Sequence, residues 1–161
     1  YKKVRIKFIS KIQTIGFMKK IAWKRARTRF ASGMAMALKS GLDMDESLSL
    51  SEKLTDYEPL KMKIQQCQEQ MKEGEIFPKA LKEAHIFDGM QERLMIIGYE
   101  TGAVDEVMEQ AADLYQKQLQ DQIQKMIAVL EPTLVGILCV IVGIILLSVM
   151  LPLVGIMAGI G

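Results

Sequence analysis

From Pro132 to Gly161 the chain carries no charged residue: PTLVGILCVIVGIILLSVMLPLVGIMAGIG. Thr133 to Leu151 is 19 residues, which at about 1.5 Å rise per residue makes a helix of roughly 28 Å. A bilayer's hydrocarbon core is about 30 Å thick. A soluble helix needs only one apolar stripe, so residues 132–161 are expected to form a transmembrane helix with a short extracytoplasmic end. Pro152 is expected to kink this helix or to end it near the far interface, where neighbouring groups reseal the freed carbonyl.

The residues just before read differently. In AVDEVMEQAADLYQKQLQDQIQKMIAVLEP, apolar side chains fall at Val104, Val107, Met108, Ala111, Leu114 and Tyr115, then at Ile123, Met126, Ile127 and Leu130. That spacing predicts a helix with one buried stripe. Asp105, Glu106, Glu109 and Asp113 fall away from it. The expectation is one long helix from Ala103 to Gly161, amphipathic first and apolar all round afterwards. No glycine hinge interrupts Lys125–Pro132. Glu131 and Pro132 mark the membrane boundary. Glu131 is placed at headgroup level in preference to facing a neighbouring subunit. Gly136, Cys139 and Gly143 fall at i, i+3 and i+7, a small-residue stripe suited to packing against another membrane helix.

Only one soluble domain fits in what remains of 161 residues. Cys67 lies in the soluble half and Cys139 in the membrane run, so no disulfide framework is expected, which suits a reducing compartment. The chain opens on Tyr1 rather than Met and reads as a fragment. Its first 23 residues are too charged for a signal peptide.

Charge is strongly segregated. Residues 1–29 hold 11 Lys or Arg and no acid, whereas residues 30–131 hold 10 basic and 19 acidic residues, a net −9. A basic stretch beside a membrane domain belongs on the cytoplasmic side, next to anionic headgroups. The helical domain is therefore expected in the cytoplasm and Gly161 outside. Nucleic-acid binding is the competing reading of the basic stretch, disfavoured by the acidic remainder of the domain.

Residues 1–23 alternate basic and apolar side chains without a clean period. They suit a basic juxtamembrane segment, surface-lying or frayed, after an earlier span. Residues 24–131 predict an all-α antiparallel bundle of about six helices. The first runs from about Lys24 to Ser40 with Phe30, Met34, Ala37 and Leu38 inward, and Gly41 caps it. Asp43 with Glu46 opens the second, whose core residues are Leu48, Leu50 and Leu54. Pro59 starts the third, with Leu60, Ile64, Cys67 and Met71 buried, and Gly74 ends it. Pro78 starts a short fourth helix containing Ala80 and Leu81. Asp88 with Gln91 caps the fifth, whose apolar face is Met90, Leu94 and Ile97. Gly102 turns into the long helix.

No catalytic motif emerges. There is no Gly-x4-Gly-Lys-[Ser/Thr] phosphate loop, so the chain is not expected to hydrolyse ATP. His85, the only histidine, has no Cys or Asp pair beside it and reads as a surface or packing residue. No cofactor is implied. The 12 methionines fall mostly on helical stripes and read as core filling before a sticky groove. Glu100, Asp105, Glu106, Glu109 and Asp113 cluster around one turn. They suit a solvated helix start favoured by the dipole, or a docking patch for a partner.

RFASGMAMALKSGLDMDESLSLSEKL resembles the opening helix pair of the type II secretion system F domain. IIGYETGAVDEVMEQAADLYQKQLQDQIQKMIAVLEPTLVGILCVIVGIILLSVMLPL resembles its final helices and last membrane span. The signal lies in the order of a G-x-E-[ST]-G turn at Gly98–Gly102, an LY-x3-L run at Leu114–Leu119 and an LEP step at Leu130–Pro132. Tyr99 departs from the pattern, since many members carry a second glutamate there. The resemblance covers about residues 25–155 and implies the second domain and third span of an inner-membrane platform protein of type II secretion or type IV pilus assembly. It further implies a non-enzymatic, oligomeric part that couples a cytoplasmic ATPase to the extraction of pilin-like subunits, alongside other inner-membrane assembly proteins. It also adds a weak calcium site as an alternative for the acidic cluster. A membrane-anchored helical adaptor or receptor that only recruits a soluble partner is the second reading.

Overall fold

A computed structural model describes the backbone of residues 2–160 and the side chains of residues 15–159. Six helices follow one another: α1 (Lys2–Lys39), α2 (Met44–Lys53), α3 (Glu58–Lys72), α4 (Phe77–Glu83), α5 (Gly89–Thr101) and α6 (Val104–Ile160). There is no strand among the described residues. The chain divides into two compact units, Tyr1–Leu119 and Gln120–Gly161.

Local signals set the helix ends. The Asp43 carboxylate accepts the Glu46 N–H at 2.8 Å, satisfying one of the free donors of α2. Pro59 and Pro78 sit in the first turns of α3 and α4, where a missing N–H costs nothing. Gly41, Gly74 and Gly102 leave α1, α3 and α5 at positive φ.

In the first unit the pairings run antiparallel. Gly33 of α1 lies against Ser51 and Leu54 of α2, and Arg29, one turn earlier on α1, pairs with Asp56 beyond the end of α2. Between α2 and α3, Gln65 donates to Glu52 and Gln68 to Ser49. Between α1 and α6, Lys39 pairs with Glu109, and Arg27 lies over the Tyr115 ring. The core between these helices is Phe30, Met34, Leu48, Leu60, Ile64, Cys67, Phe77, Leu81, Ile86, Met95, Met108 and Tyr115, all essentially inaccessible. It is a bundle of short connections, as the all-α reading expected.

Several expectations change. The first helix does not begin at Lys24: residues 2–23 are helical and continuous with it. The described side chains of residues 15–23 are exposed or half-buried, and a helix needs no apolar period where it buries no stripe. The surface-lying reading of residues 1–14 falls on side chains outside those described, as does Gly161 at the extracytoplasmic end.

Leu50 and Leu54 are half exposed, and α2 instead buries Ser47, Leu48 and Ser51. Small hydroxyl side chains allow α1 and α2 to approach closely. On α5 the inward face is Gln91, Met95 and Gly98, while Met90 and Ile97 are exposed. Core filling describes Met34, Met95 and Met108 but not Met18, Met36, Met62 or Met90, which are exposed. On α6 the buried stripe is Val104, Met108, Ala111, Ala112 and Tyr115. Leu114, Ile123, Met126, Ile127 and Leu130 are exposed, so the buried stripe ends at Tyr115 among the described residues.

The second unit is the later part of α6. Its apolar side chains from Leu134 to Met157 are exposed, the surface that a bilayer rather than water accommodates. The Thr133 and Ser148 hydroxyls donate back to the Val129 and Ile144 carbonyls at 2.7 and 2.9 Å, which satisfies them without water. Pro132 and Pro152 both lie inside the helix, so Pro152 does not end it.

Candidate functional site

The α5–α6 turn is built by two glycines with different tasks. Gly98, buried on α5, lies so close to α6 that a Cβ there would stand 2.7 Å from Val107 Cγ2 and 3.2 Å from the Ala103 carbonyl oxygen. Gly102 adopts φ 74°, the left-handed conformation that costs other residues energy. The Ala103 N–H then donates to the Gly98 carbonyl at 2.7 Å, and the Thr101 hydroxyl donates to the Ile97 carbonyl at 2.9 Å. The G-x-E-T-G pattern is thus mostly a packing and turn device. Its glutamate is the exception: Glu100 is exposed, and the turn makes no use of its carboxylate.

The acidic residues that follow are not equivalent. Glu106 and Asp113 are exposed, and Asp105 is half-buried. Glu109 is exposed too, but it pairs with Lys39 at the end of α1. Lys39 is held above the usual lysine range by that hydrogen bond, with the charges of Glu109, Asp105 and Glu106 adding to it. Lys39 therefore offsets part of the cluster, a neighbour that the sequence spacing did not reveal. Among the described residues, no three His, Cys, Asp or Glu side chains converge as metal ligands. The available acids are Glu100, Glu106 and Asp113, arranged along an exposed turn and helix face.

A second constellation supports α6 from inside. Arg27 of α1 is buried and stacks 4.8 Å from the centre of the Trp23 ring and 5.4 Å from that of Tyr115. It donates to Asp88, the residue preceding α5. Asp88 holds the expected capping position, but its carboxylate serves Arg27 and makes no cap hydrogen bond. The Gln91 Oε1, expected as its reciprocal partner, is buried and unbonded among the described residues. The Asp88 N–H donates to the Tyr115 hydroxyl at 3.4 Å, and the Phe87 and Tyr115 rings stack at 5.7 Å. Burial raises the Tyr115 pKa, and Arg27 opposes that rise. Lys63 of α3 lies 5.3 Å from the other ring system, Trp23, and donates to the His85 carbonyl at 3.0 Å. Its pKa is lowered, by burial first and by Arg27 second. One arginine therefore joins α1, the start of α5 and the early part of α6. His85 itself is exposed at φ 51°, in the left-handed position that ends α4.

Of the predicted membrane residues, Glu131, Pro132, Gly136 and Cys139 are exposed, and Gly143 is half-buried. A Cβ added at Gly136 or Gly143 would meet nothing within 4 Å, so the small-residue stripe is open along the helix.

The family model for type II secretion system (T2SS), protein F matches residues 30–152. The chain is similar to the type IV pilus assembly protein PilC of Thermus thermophilus, 28% identical over 131 residues, which are 81% of this chain and 32% of that protein. It is similar to the type 4 fimbrial assembly protein PilC of Pseudomonas putida, 26% identical over 134 residues, 83% of this chain and 33% of that one. Type II secretion system protein F of Aeromonas hydrophila is 26% identical over 125 residues, 78% of this chain and 32% of that protein. The chain spans about a third of the length of these curated relatives.

Proposed function

Because this chain belongs to the type II secretion system protein F family, we propose that it is part of the inner-membrane platform of a type II secretion or type IV pilus machine. In this reading it performs no catalysis of its own. A cytoplasmic ATPase docks on the helical bundle, and its motion is passed to the membrane span, beside which pilin-like subunits are lifted from the bilayer. The observation that carries the reading is the composition of α6. Met108 and Tyr115 in its early part are core residues of the bundle, and the same helix includes the uncharged run after Glu131. A push on the bundle is therefore a push on the element that enters the membrane. The family match spans both parts.

Orientation and assembly belong to the same proposal. The 11 basic residues before position 30 favour a cytoplasmic bundle and an external C-terminus. The open stripe of Gly136, Cys139 and Gly143 suits close packing against another platform span, in the same or a neighbouring subunit.

The motor contact is assigned to the exposed acids at the α5–α6 turn. Charges at a contact rim mainly speed docking and set its register, so reversing them weakens binding in a salt-dependent way. Glu106→Lys with Asp113→Lys is the test pair, since Glu109 is engaged by Lys39. Co-purification of the cognate ATPase is expected to fall at low salt while helical content stays unchanged. Equal capture by wild type and variant at low salt would move the contact elsewhere, first to the α1–α2 pair.

A further inference from the structure

The early part of α1 carries a feature that the platform reading does not use. Ile15, Met18, Ala22, Arg25 and Arg29 fall at i, i+3, i+7, i+10 and i+14, one face of the helix. Ile15 and Met18 are 50% and 64% exposed. Most of this face, with Asp56, lines an open groove of about 400 Å³, within the size range of ordinary ligand pockets. The groove grades from apolar at Met18 to cationic at Arg25 and Arg29, a rise of about 1.5 Å per residue separating the two ends.

Two further observations say what fits it. Residues 1–29 contain no acid, and among the described residues no carboxylate pairs with Lys19, Lys20, Lys24 or Arg25. Among the described basic residues of this segment, Arg27 and Arg29 are the ones engaged, by Asp88 and Asp56. The register of α1 against α6 then gives the groove a direction. Lys39 meets Glu109 and Arg27 meets Tyr115, so the path from Arg27 back to Ile15 runs the same way as the path from Tyr115 to Leu119. The apolar end of the groove therefore points toward the end of the bundle from which the chain continues into its uncharged run.

We infer that this groove binds an anionic phospholipid of the membrane, its phosphate on Arg25 and Arg29 and its upper acyl carbons along Ala22, Ile21 and Met18. A nucleic-acid phosphate would not need the apolar floor, and the net −9 of residues 30–131 repels a long polyanion. An acidic protein segment would not need the apolar end of the groove to lie at the end of the bundle where the chain leaves it. Lipid meets all three conditions, and juxtamembrane cations add to its binding residue by residue.

Trp23 is the only tryptophan and sits in the helix turn beside the groove, which makes it the reporter. The full chain is incorporated into phosphatidylcholine nanodiscs, with incorporation checked first so that failure of the membrane reading is seen separately. A minor fraction of the lipid is then brominated phosphatidylglycerol or brominated phosphatidylcholine. Brominated phosphatidylglycerol is expected to quench Trp23 at about tenfold lower mole fraction, and this preference should shrink in high salt. Arg25→Gln with Arg29→Gln should remove most of the preference. Asp56→Asn, which frees Arg29, should increase it. Equal quenching by both lipids overturns the proposal and is what an acidic protein occupant would give. Quenching by neither also overturns it, as does loss of preference in both variants, which is the signature of simple misfolding.

Discussion

Arg27 and Asp88, 61 residues apart, meet with one guanidinium nitrogen 3.1 Å from each carboxylate oxygen. The two partners are unequal. The Arg27 side chain is 10% exposed, whereas that of Asp88 is 65% exposed. An ion pair with one partner so wet gains little Coulomb energy. The value of Arg27 therefore lies chiefly in its stacking on Trp23 and Tyr115. Arg27→Ala is expected to lower stability by about 2–3 kcal/mol, from lost cation–π contact and a cavity. Asp88→Asn should cost about 1 kcal/mol. Thermal midpoints followed by Trp23 fluorescence would rank the two, and a larger loss for Asp88→Asn would reverse the assignment.

Gly98 and Val107 give a second prediction. A Cβ at position 98 collides with a β-branched side chain that has little rotamer freedom. Gly98→Ala is expected to destabilise by about 1–2 kcal/mol, the overpacking cost outweighing the gain in helix propensity. Gly98→Ala with Val107→Ala should recover part of this loss, because the larger clash is with Val107. A double-mutant cycle with no coupling would show that the two helices already have slack.

Alkali should weaken the bundle. Burial pushes the Cys67 thiol from about 9.0 up to about 12, and burial raises Tyr115 as well. A group with a raised folded pKa holds its proton in the fold, so its contribution is whole below the unfolded pKa and is lost as pH rises toward the folded one. The window for Cys67 is about pH 9 to 12. At pH 10.5 its share of the loss is about 2 kcal/mol. Lys63, lowered by burial and by Arg27, works in the opposite direction, but it is mostly exposed to solvent screening. Comparing thermal midpoints at pH 8 and 10.5 checks the sign, and Cys67→Val should shrink the difference.

In the membrane run, Gly143→Leu fills one end of the open small-residue stripe. The expected outcome is normal insertion with impaired pilus assembly or secretion, read by membrane fractionation beside an export assay. Unimpaired export would remove the helix-packing role.

What the sequence disclosed follows the range of the forces involved. Asp43, Pro59, Pro78, Gly41, Gly74 and Gly102 act on their own turns, and each was readable from its immediate neighbours. The inward face of α5 was not. Met90, Leu94 and Ile97 fit helical spacing as well as Gln91, Met95 and Gly98 do. The choice between them was made by the close approach of Val107 to Gly98, a contact between helices. The acidic residues were legible as a cluster, yet their division into paired Glu109 and free Glu106 depends on Lys39, 70 residues away. Arg27 was counted only as one more basic residue, because nothing near it in sequence announces the Trp23, Asp88 and Tyr115 that surround it.

The adjacency of α1 and α6 has a consequence for the order in which the bundle forms. Neighbouring helices in the chain meet across short loops and can pair early, since closing a small loop loses little chain entropy. The α1–α6 seam must bring together residues 70 to 88 positions apart, so it closes late. Interactions formed after the transition state slow unfolding without speeding folding. Arg27, Lys39 and Glu109 are thus expected to act as the catch that sets the lifetime of the closed bundle. That lifetime is thereby set at the early part of α6, the same helix that carries the uncharged run.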